Sequence, residues 1–457
     1  MKYWTFAGVW TPNRGFETPF ALRVDSCGKI VESGPLVKPQ PNDIINEFPS
    51  EILIPGLISG HSHAFQYAMA GSAEALGLGA SLDDFWSWRE QMYRLALSLN
   101  PDELESIATM AYSEMLRFGL THVVEFHYLH HDRSGSPYAD PTELSQRLIA
   151  AAKHAGINLC LVPIFYQLSG FGEVAKPEQR RFVFKSLDQY MDVIRRLKPL
   201  TANLGIGVHS LRAADRDSCK AILNFQASYP THIHLAEQVK EVDACRAHYG
   251  CEPLRWILDH VELKEKHALT HVTHTTTADL LALARSKAVT ILCPTTEANL
   301  GDGIFPLLDY HQAGGRWCTG SDSQVSLNPC EELRWLDYQL RLKHQRRNPL
   351  CANPEDESGT LLLRNHIQYG SQVFYGKSKT EFFQANETFS GLSLDLNHPV
   401  LLEKPLEKIL SSFIFASDPS AIAGTITAGE WQVRGGRHRH KDSILKSYGS
   451  VLKALLR

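Results

Sequence analysis

The amino-acid sequence predicts an α/β protein: a (β/α)8 TIM-like barrel with a small β domain assembled from both chain ends. Three observations carry this expectation. Eight short β-branched or apolar runs recur from residue 53 onward, helical patterns separate several of them, and short strand-like pieces flank the series at both ends.

Residues 1–52 alternate extended stretches with turns: "YWTFAGVWTP", "PFALRVDSCGKIVESG" and "DIINEF". Cys27-Gly28 before "KIVESG" reads as a hairpin turn between two short strands. Eight strand candidates follow: "EILIPGLISGH", "THVVEFHY", "INLCLVPIFY", "LGIGVHSLR", "PTHIHLAEQ", "HALTHVTH", "AVTILCPTTE" and "RWCTGSDS". Between them lie "DELESIATMAYSEMLRFG", "LSQRLIAAAKHAG" and "ADLLALARSKA", with the apolar spacing of helices. The first of these has Pro101 near its start and Gly119 just past its end, which suits helix boundaries. A six-strand doubly wound sheet fits less well, because eight strands are present and no G-x-G-x-x-G follows the first. Residues 390–432 return to strand-like pieces, "FSGLSLDL", "SSFIFAS" and "GEWQVRGG", able to pair with the N-terminal unit. The final "KDSILKSYGSVLKALLR" reads as an amphipathic helix packed on the barrel, in preference to a membrane-surface anchor. The expected domains are therefore 1–52 with 385–440, the barrel over 53–384, and a terminal helix over 441–457.

The 457 residues are 43% hydrophobic and 21% charged, with a formal net charge of -4. That balance gives no drive toward nucleic acid or acidic membranes. No run of 18 apolar residues occurs, so no membrane span is expected, and the first 15 residues lack the apolar stretch of a signal peptide. Nine cysteines without a C-x-x-C read as reduced thiols of a cytoplasmic protein. A homodimer is expected on general grounds of symmetry, with no interface legible.

Chemistry gathers at the strand ends. In a strand, i,i+2 spacing puts His61 and His63 on one face. "THIHLAEQ" adds His234 with His232 on the same face, and Glu237 three residues on; "LTHVTHT" offers His271 and His274; "GSDS" offers Asp322. With 21 histidines some would fall near strand ends by chance, but pairs or carboxylates at four separate barrel ends argue for a metal site of imidazole and carboxylate ligands.

These strings, together with "HSHAFQ", "FWSWRE", "EFHYLHH", "HSLRA", "CPTTEANLGDGIFP" and "GSDSQVSL", resemble the amidohydrolase superfamily. Within it they are most similar to the formiminoglutamate deiminase family. The resemblance covers about residues 50–340. It implies a single Zn2+ per subunit on His61, His63, His234 and Asp322, since no bridging lysine of binuclear members is found. It also implies Glu237 and His271 as catalytic residues beside Asp322. The physical roles agree: Asp322 is a ligand and a base for water, Glu237 can carry a proton to the leaving nitrogen, and His271 can donate to the developing oxyanion.

The resemblance further implies that Gln66, Arg89, Tyr128 and Arg212 hold the carboxylates of a small dicarboxylate amidine, with His209 lining the pocket. Arginine suits this because its planar fork meets a carboxylate bidentately. Arg89 lies in an aromatic-rich excursion over 74–100 that could close over the pocket. The stretch "CPTTEANLGDGIFPL" reads as site architecture rather than chemistry, with Glu297 its one member able to approach substrate. The expected reaction is deimination of N-formimino-L-glutamate to N-formyl-L-glutamate and ammonia, as in histidine degradation. Three alternatives stand beside it: an N-heterocycle deaminase acting on guanine or an adenosine derivative, a small-amide hydrolase, and a metal-containing binding protein without catalysis. The departures are Gly60 before the first ligand, where a bulkier or polar residue is common, and "SGLSLDLNHP" in the C-terminal β region.

Overall fold

A computed structural model describes residues 1–74 and 85–455. Residues 75–84 of the expected lid excursion, and 456–457 of the terminal helix, lie outside the described residues.

All eight strand candidates become parallel neighbours in one sheet. They are β1 (Leu57–Ser62), β2 (Leu120–His127), β3 (Asn158–Phe165), β4 (Ile206–Val208), β5 (Thr231–Leu235), β6 (His267–His271), β7 (Val289–Leu292) and β8 (Arg316–Thr319). The barrel closes just beyond β8. The bridge Ser62↔Asp322 joins the ends, with Asp322 N–H donating to His61 O (3.0 Å) and His63 N–H donating to Asp322 O (3.1 Å). The seam of the barrel is thus sewn by residues that the sequence marks as metal ligands.

The crossover helices form where the 3.6-residue period lies. Pro101–Arg117 begins in a capping box: Glu103 N–H donates to Asn100 Oδ1 (2.9 Å) and Asn100 N–H donates to Glu103 Oε2 (2.8 Å), with Pro101 in the first turn. Glu143–Ala155 ends at Gly156 in the left-handed region. The helix Phe85–Ser98 follows β1 and covers one side of the barrel mouth.

The run "EILIPGLISGH", continuous in sequence, serves two sheets. Ile44–Pro55 belongs to a nine-stranded sheet, and after Gly56 the chain enters β1. In that second sheet Ile44–Pro55 pairs in parallel with Lys2–Thr11 on one side and antiparallel with Gly391–Asp395 on the other, so both chain ends build it. Trp4 joins them, with ring centroids 5.4 Å from Phe389 and 5.5 Å from Trp431. The hairpin around Cys27-Gly28 is present between Phe20–Val24 and Ile30–Gly34.

One expected strand is a helix. "SSFIFAS" (411–417) is the last part of the helix Leu406–Ala416 and its cap Ser417, and Ile409, Leu410, Phe413 and Ile414 form a buried stripe. Phe413–Ala416 read alone is a short apolar run, and only the preceding turn reveals the helical period. The strand missed nearby is Ile422–Thr427. The terminal helix Lys441–Leu455 packs on Pro101–Arg117, where Ser447 Oγ meets Ser106 Oγ at 2.7 Å. All nine cysteines are unpaired, and no described helix is long and apolar enough to cross a membrane.

Candidate active site

Inward-facing residues at the C-terminal ends of β1, β5 and β8 place His61, His63, His234 and Asp322 together, all buried. His61 Nε2 lies 3.1 Å from His63 Nε2 and 2.9 Å from His234 Nε2. Asp322 Oδ1 lies 3.3 Å from both His61 Nε2 and His63 Nε2. Ligands about 2.0–2.1 Å from a tetrahedral ion are separated by roughly 3.3 Å, so these distances suit a divalent metal. Three ring nitrogens gathered this closely also suit a cation, because a proton can relieve only one pair of lone pairs at a time. His63 Nδ1–H donates to Phe126 O (2.9 Å), which leaves Nε2 as the ligand atom. Burial holds His61 down to about 4 and His234 well below the usual imidazole range, so both are neutral donors. Against the burial cost, the neighbouring His61 and His63 rings keep the Asp322 carboxyl well below its ordinary value.

Backbone strain marks the same place. Asp322 and His271 adopt φ of +47° and +71°, a region that non-glycine residues favour only where the surroundings impose it. Two close approaches explain glycines here. A Cβ on Gly60 would lie 2.9 Å from Cys318 Sγ, and one on Gly320 would lie 2.8 Å from both His61 N and His61 Cβ. Gly320→Ala is expected to destabilise the fold by about 1–3 kcal/mol and to weaken metal retention, because the strain falls on the His61 backbone. Thermal unfolding with metal analysis checks this; full retention of both would exclude such a contact.

His271 sits between carboxylates. Its Nε2 lies 3.6 Å from Glu237 Oε1 and 3.7 Å from Asp322 Oδ2, while Nδ1 lies 3.2 Å from Glu297 Oε1. Burial opposes charge on this ring, yet Glu237, the hydrogen bond to Glu297, and Asp322 outweigh it and raise its pKa to about 10. Burial also raises the Glu237 carboxyl, which favours a form able to hold a proton. Glu297 does not line the pocket. Its Oε1 accepts from Cys293 N–H (2.9 Å) and faces His271, so it supports the histidine from behind. His274 lies outside the metal group, its Nε2 bonded to Asp302 O at 2.7 Å.

A pocket opens over this group. His63, His234, Glu237 and Asp322 line its floor, and Gln66, Arg89, Tyr128, His209 and Arg212 line its walls. All five side chains expected around the substrate therefore share one pocket with the metal group. Gln66 Nε2–H donates to Tyr128 Oη (2.9 Å). Burial, with Arg212 beside it, keeps His209 neutral. Arg89 stacks on Trp86, 4.2 Å from the ring centroid. Arg212 is buried and pairs with Glu241 Oε2 at 3.2 Å. Burial works against its charge, but Glu241 and Glu237 hold it protonated.

Sequence reasoning overlooked Glu241 and Glu125. Glu241 lies in the first turn of the helix Val239–Tyr249, four residues after Glu237, and no motif marks it as a partner for Arg212. Glu125, inside the "EFHYLHH" string, accepts from Ala64 N–H and Ser62 Oγ–H, both 2.8 Å, and so pins the turn that carries His61 and His63. Burial lifts its carboxyl to about 7.

A barrel with buried His, His, His and Asp donors at its C-terminal mouth has the architecture of a hydrolase whose donor group suits a divalent metal. The chain belongs to the amidohydrolase family, whose model matches residues 52–357. It is 40% identical over 453 residues to the formimidoylglutamate deiminase of Pseudomonas aeruginosa, covering 98% of this chain and 97% of that protein. It is 24% identical over 333 residues to the 5-methylthioadenosine/S-adenosylhomocysteine deaminase of Pyrococcus furiosus, covering 72% and 73% of the two chains. Among solved structures, an amidohydrolase from Brucella melitensis superposes over 100% of both chains with a TM-score of 0.91 and 36% identity. An adenosine deaminase from Xanthomonas campestris with bound zinc shares the fold, with a TM-score of 0.79 and 18% identity over 99% and 98% of the chains.

Proposed function

We propose that this hydrolase is a zinc-dependent deiminase that converts N-formimino-L-glutamate and water to N-formyl-L-glutamate and ammonia, as in histidine degradation. The observation that carries this reading is the pairing, in one cavity, of a three-histidine, one-aspartate donor group with two arginines, Arg89 and Arg212. The similarity to the Pseudomonas aeruginosa deiminase supports it. Zinc suits three imidazole nitrogens and one carboxylate oxygen, with one ion per subunit. A zinc ion held there supplies Lewis acidity that brings the pKa of water toward neutrality.

The chain's own residues then divide the work. Asp322 Oδ2, the oxygen facing His271, takes a proton from the attacking water. The protonated His271 ring donates from Nε2 to the oxygen that adds to the formimino carbon, while the electron pair of the C=N bond moves to the terminal nitrogen and Glu297 holds Nδ1. Glu237 delivers one proton to the terminal nitrogen, the proton still on the added oxygen follows as the C=O bond forms, and the C–N bond to that nitrogen breaks to release ammonia; the proton taken by Asp322 restores Glu237. Arg89 and Arg212, with Gln66 and Tyr128, hold the two carboxylates, so the nitrogen bonded to glutamate stays out of reach of Glu237.

Glu297→Gln tests the support of His271. It is expected to lower kcat by on the order of tenfold to a hundredfold with KM little changed, since only the orientation and charge of the ring are disturbed. Steady-state kinetics with metal analysis measure it; unchanged kcat would remove Glu297 from the account. A substrate panel tests the whole reading. Ammonia release from N-formimino-L-glutamate should exceed that from an analogue lacking either carboxylate, and from guanine or adenosine derivatives. Preference for a heterocycle would return the protein to the other deaminase class.

A further inference from the structure

Arg181 is a fully buried cation that the reaction does not use. Among the described residues it has no carboxylate within ion-pair distance. Its side chain is satisfied almost entirely by carbonyl oxygens, an expensive arrangement unless those oxygens carry negative character of their own. They do. Arg181 Nη1–H donates to Ala96 O and to Leu99 O, the latter at 2.7 Å. Both carbonyls stand at the C-terminal end of the helix Phe85–Ser98, where orphan acceptors and the negative end of the helix dipole coincide.

The other side of the arginine is fastened to the barrel. Nε–H donates to His131 O (2.8 Å), and Nη2–H donates to Tyr138 Oη (3.3 Å). The Arg181 carbonyl in turn accepts from His130 N–H (2.9 Å) and His131 N–H (3.0 Å). The "LHH" of the "EFHYLHH" string therefore has a structural task, anchoring this segment beyond β2.

A second buried side chain of the segment reaches the same helix one turn earlier. Gln179 Nε2–H donates to Tyr93 Oη (3.1 Å) on the helix and to Tyr166 Oη (2.6 Å) just past β3. Next to Arg181, Phe182 packs on Tyr93 and Tyr128, with ring centroids 5.8 Å and 5.2 Å away, and lines the cavity. Arg89 lies one turn before Tyr93 on that helix and projects into the cavity. The helix that brings Arg89 to the pocket is thus held at two points by the segment Gln179–Phe184.

We propose that Arg181 is a positioning residue: through Ala96 O and Leu99 O it fixes the helix that carries Arg89, and so sets how tightly the pocket holds an anionic substrate. The link to affinity rests on the reading of Arg89 as a carboxylate-holding residue; the mechanical link to the helix does not. The test compares metal-loaded full-length wild type with Arg181→Met, Arg181→Lys, Arg89→Met and the Arg89→Met/Arg181→Met double variant.

Amide hydrogen exchange over 85–99 is measured without substrate, and KM and kcat are measured with N-formimino-L-glutamate. Arg181→Met should speed exchange over 85–99 and raise KM about tenfold, with kcat within roughly threefold of wild type, the pattern of lost ground-state binding. Arg181→Lys should restore part of both. In the Arg89→Met background the same change should add less than about twofold to KM, because residues acting through one another are not additive. Unchanged exchange over 85–99, or a full-sized KM effect in the absence of Arg89, would overturn the proposal. If Arg89→Met alone leaves KM unaltered, the reading of Arg89 fails and exchange alone decides the latch. If Arg181→Met does not fold, unaltered exchange and KM in Arg181→Lys overturn it.

Discussion

Asp322→Asn is expected to lower kcat by about 10³–10⁴-fold while leaving the barrel folded, the upper part of the range over which positioned acid–base groups act. Asp322 has two tasks on its two oxygens. Oδ1 faces His61 and His63 at 3.3 Å, and Oδ2 faces His271 at 3.7 Å. Asparagine preserves the shape and the backbone bonds that close the barrel, where Asp322 N–H donates to His61 O and its carbonyl accepts from His63 N–H. It removes the negative charge that balances a divalent ion and the base that accepts the proton of water. Activity should therefore collapse with little change in thermal unfolding, and metal analysis separates loss of the ion from loss of the base. A variant with kcat within tenfold of wild type would remove Asp322 from the chemistry.

The second large effect falls on substrate holding. Arg212→Met is expected to reduce kcat/KM by on the order of 10²–10³-fold, mostly through KM, because a charge-assisted bidentate pair contributes several kcal/mol at a buried site. Arg212→Lys should recover only part of this, since an ammonium cannot reproduce the planar fork. The loss should shrink for a substrate analogue missing the carboxylate that Arg212 holds, and analogue kinetics on both variants measure that. Equal losses on all analogues would instead indicate that Arg212 serves Glu241, its buried ion-pair partner, and the local fold.

Much of this was legible in the amino-acid order because it is local. The i,i+2 pair His61 and His63 declares one strand face, and the eight apolar runs stand between turn signals, so the barrel and the gathering of histidines and carboxylates at its strand ends follow from short stretches; the choice of His61, His63, His234 and Asp322 as the donor set came from resemblance. Gln66, Arg89, Tyr128, His209 and Arg212 were named from resemblance, and all five line the cavity. What stayed hidden depends on contacts between loops of different βα units. Glu297 sits beside His271 because the turns after β6 and β7 meet, and nothing in "CPTTEAN" states which way its carboxylate turns. Arg181 looks like a surface residue in "PEQRRFVF", yet it is the buried one of the two neighbouring arginines, while Arg180 bonds Arg133 O at the surface. "SSFIFAS" misled for the opposite reason: its apolar run is shorter than the helical period that governs it.

The central claim is that water adds at the formimino carbon and that only the terminal nitrogen leaves. The most direct test is turnover of N-formimino-L-glutamate by metal-analysed protein in ¹⁸O-labelled water, with the organic product weighed by mass spectrometry. The account predicts ammonia and N-formyl-L-glutamate carrying one ¹⁸O atom. Formamide and glutamate, or no turnover with the metal site fully loaded, would contradict it.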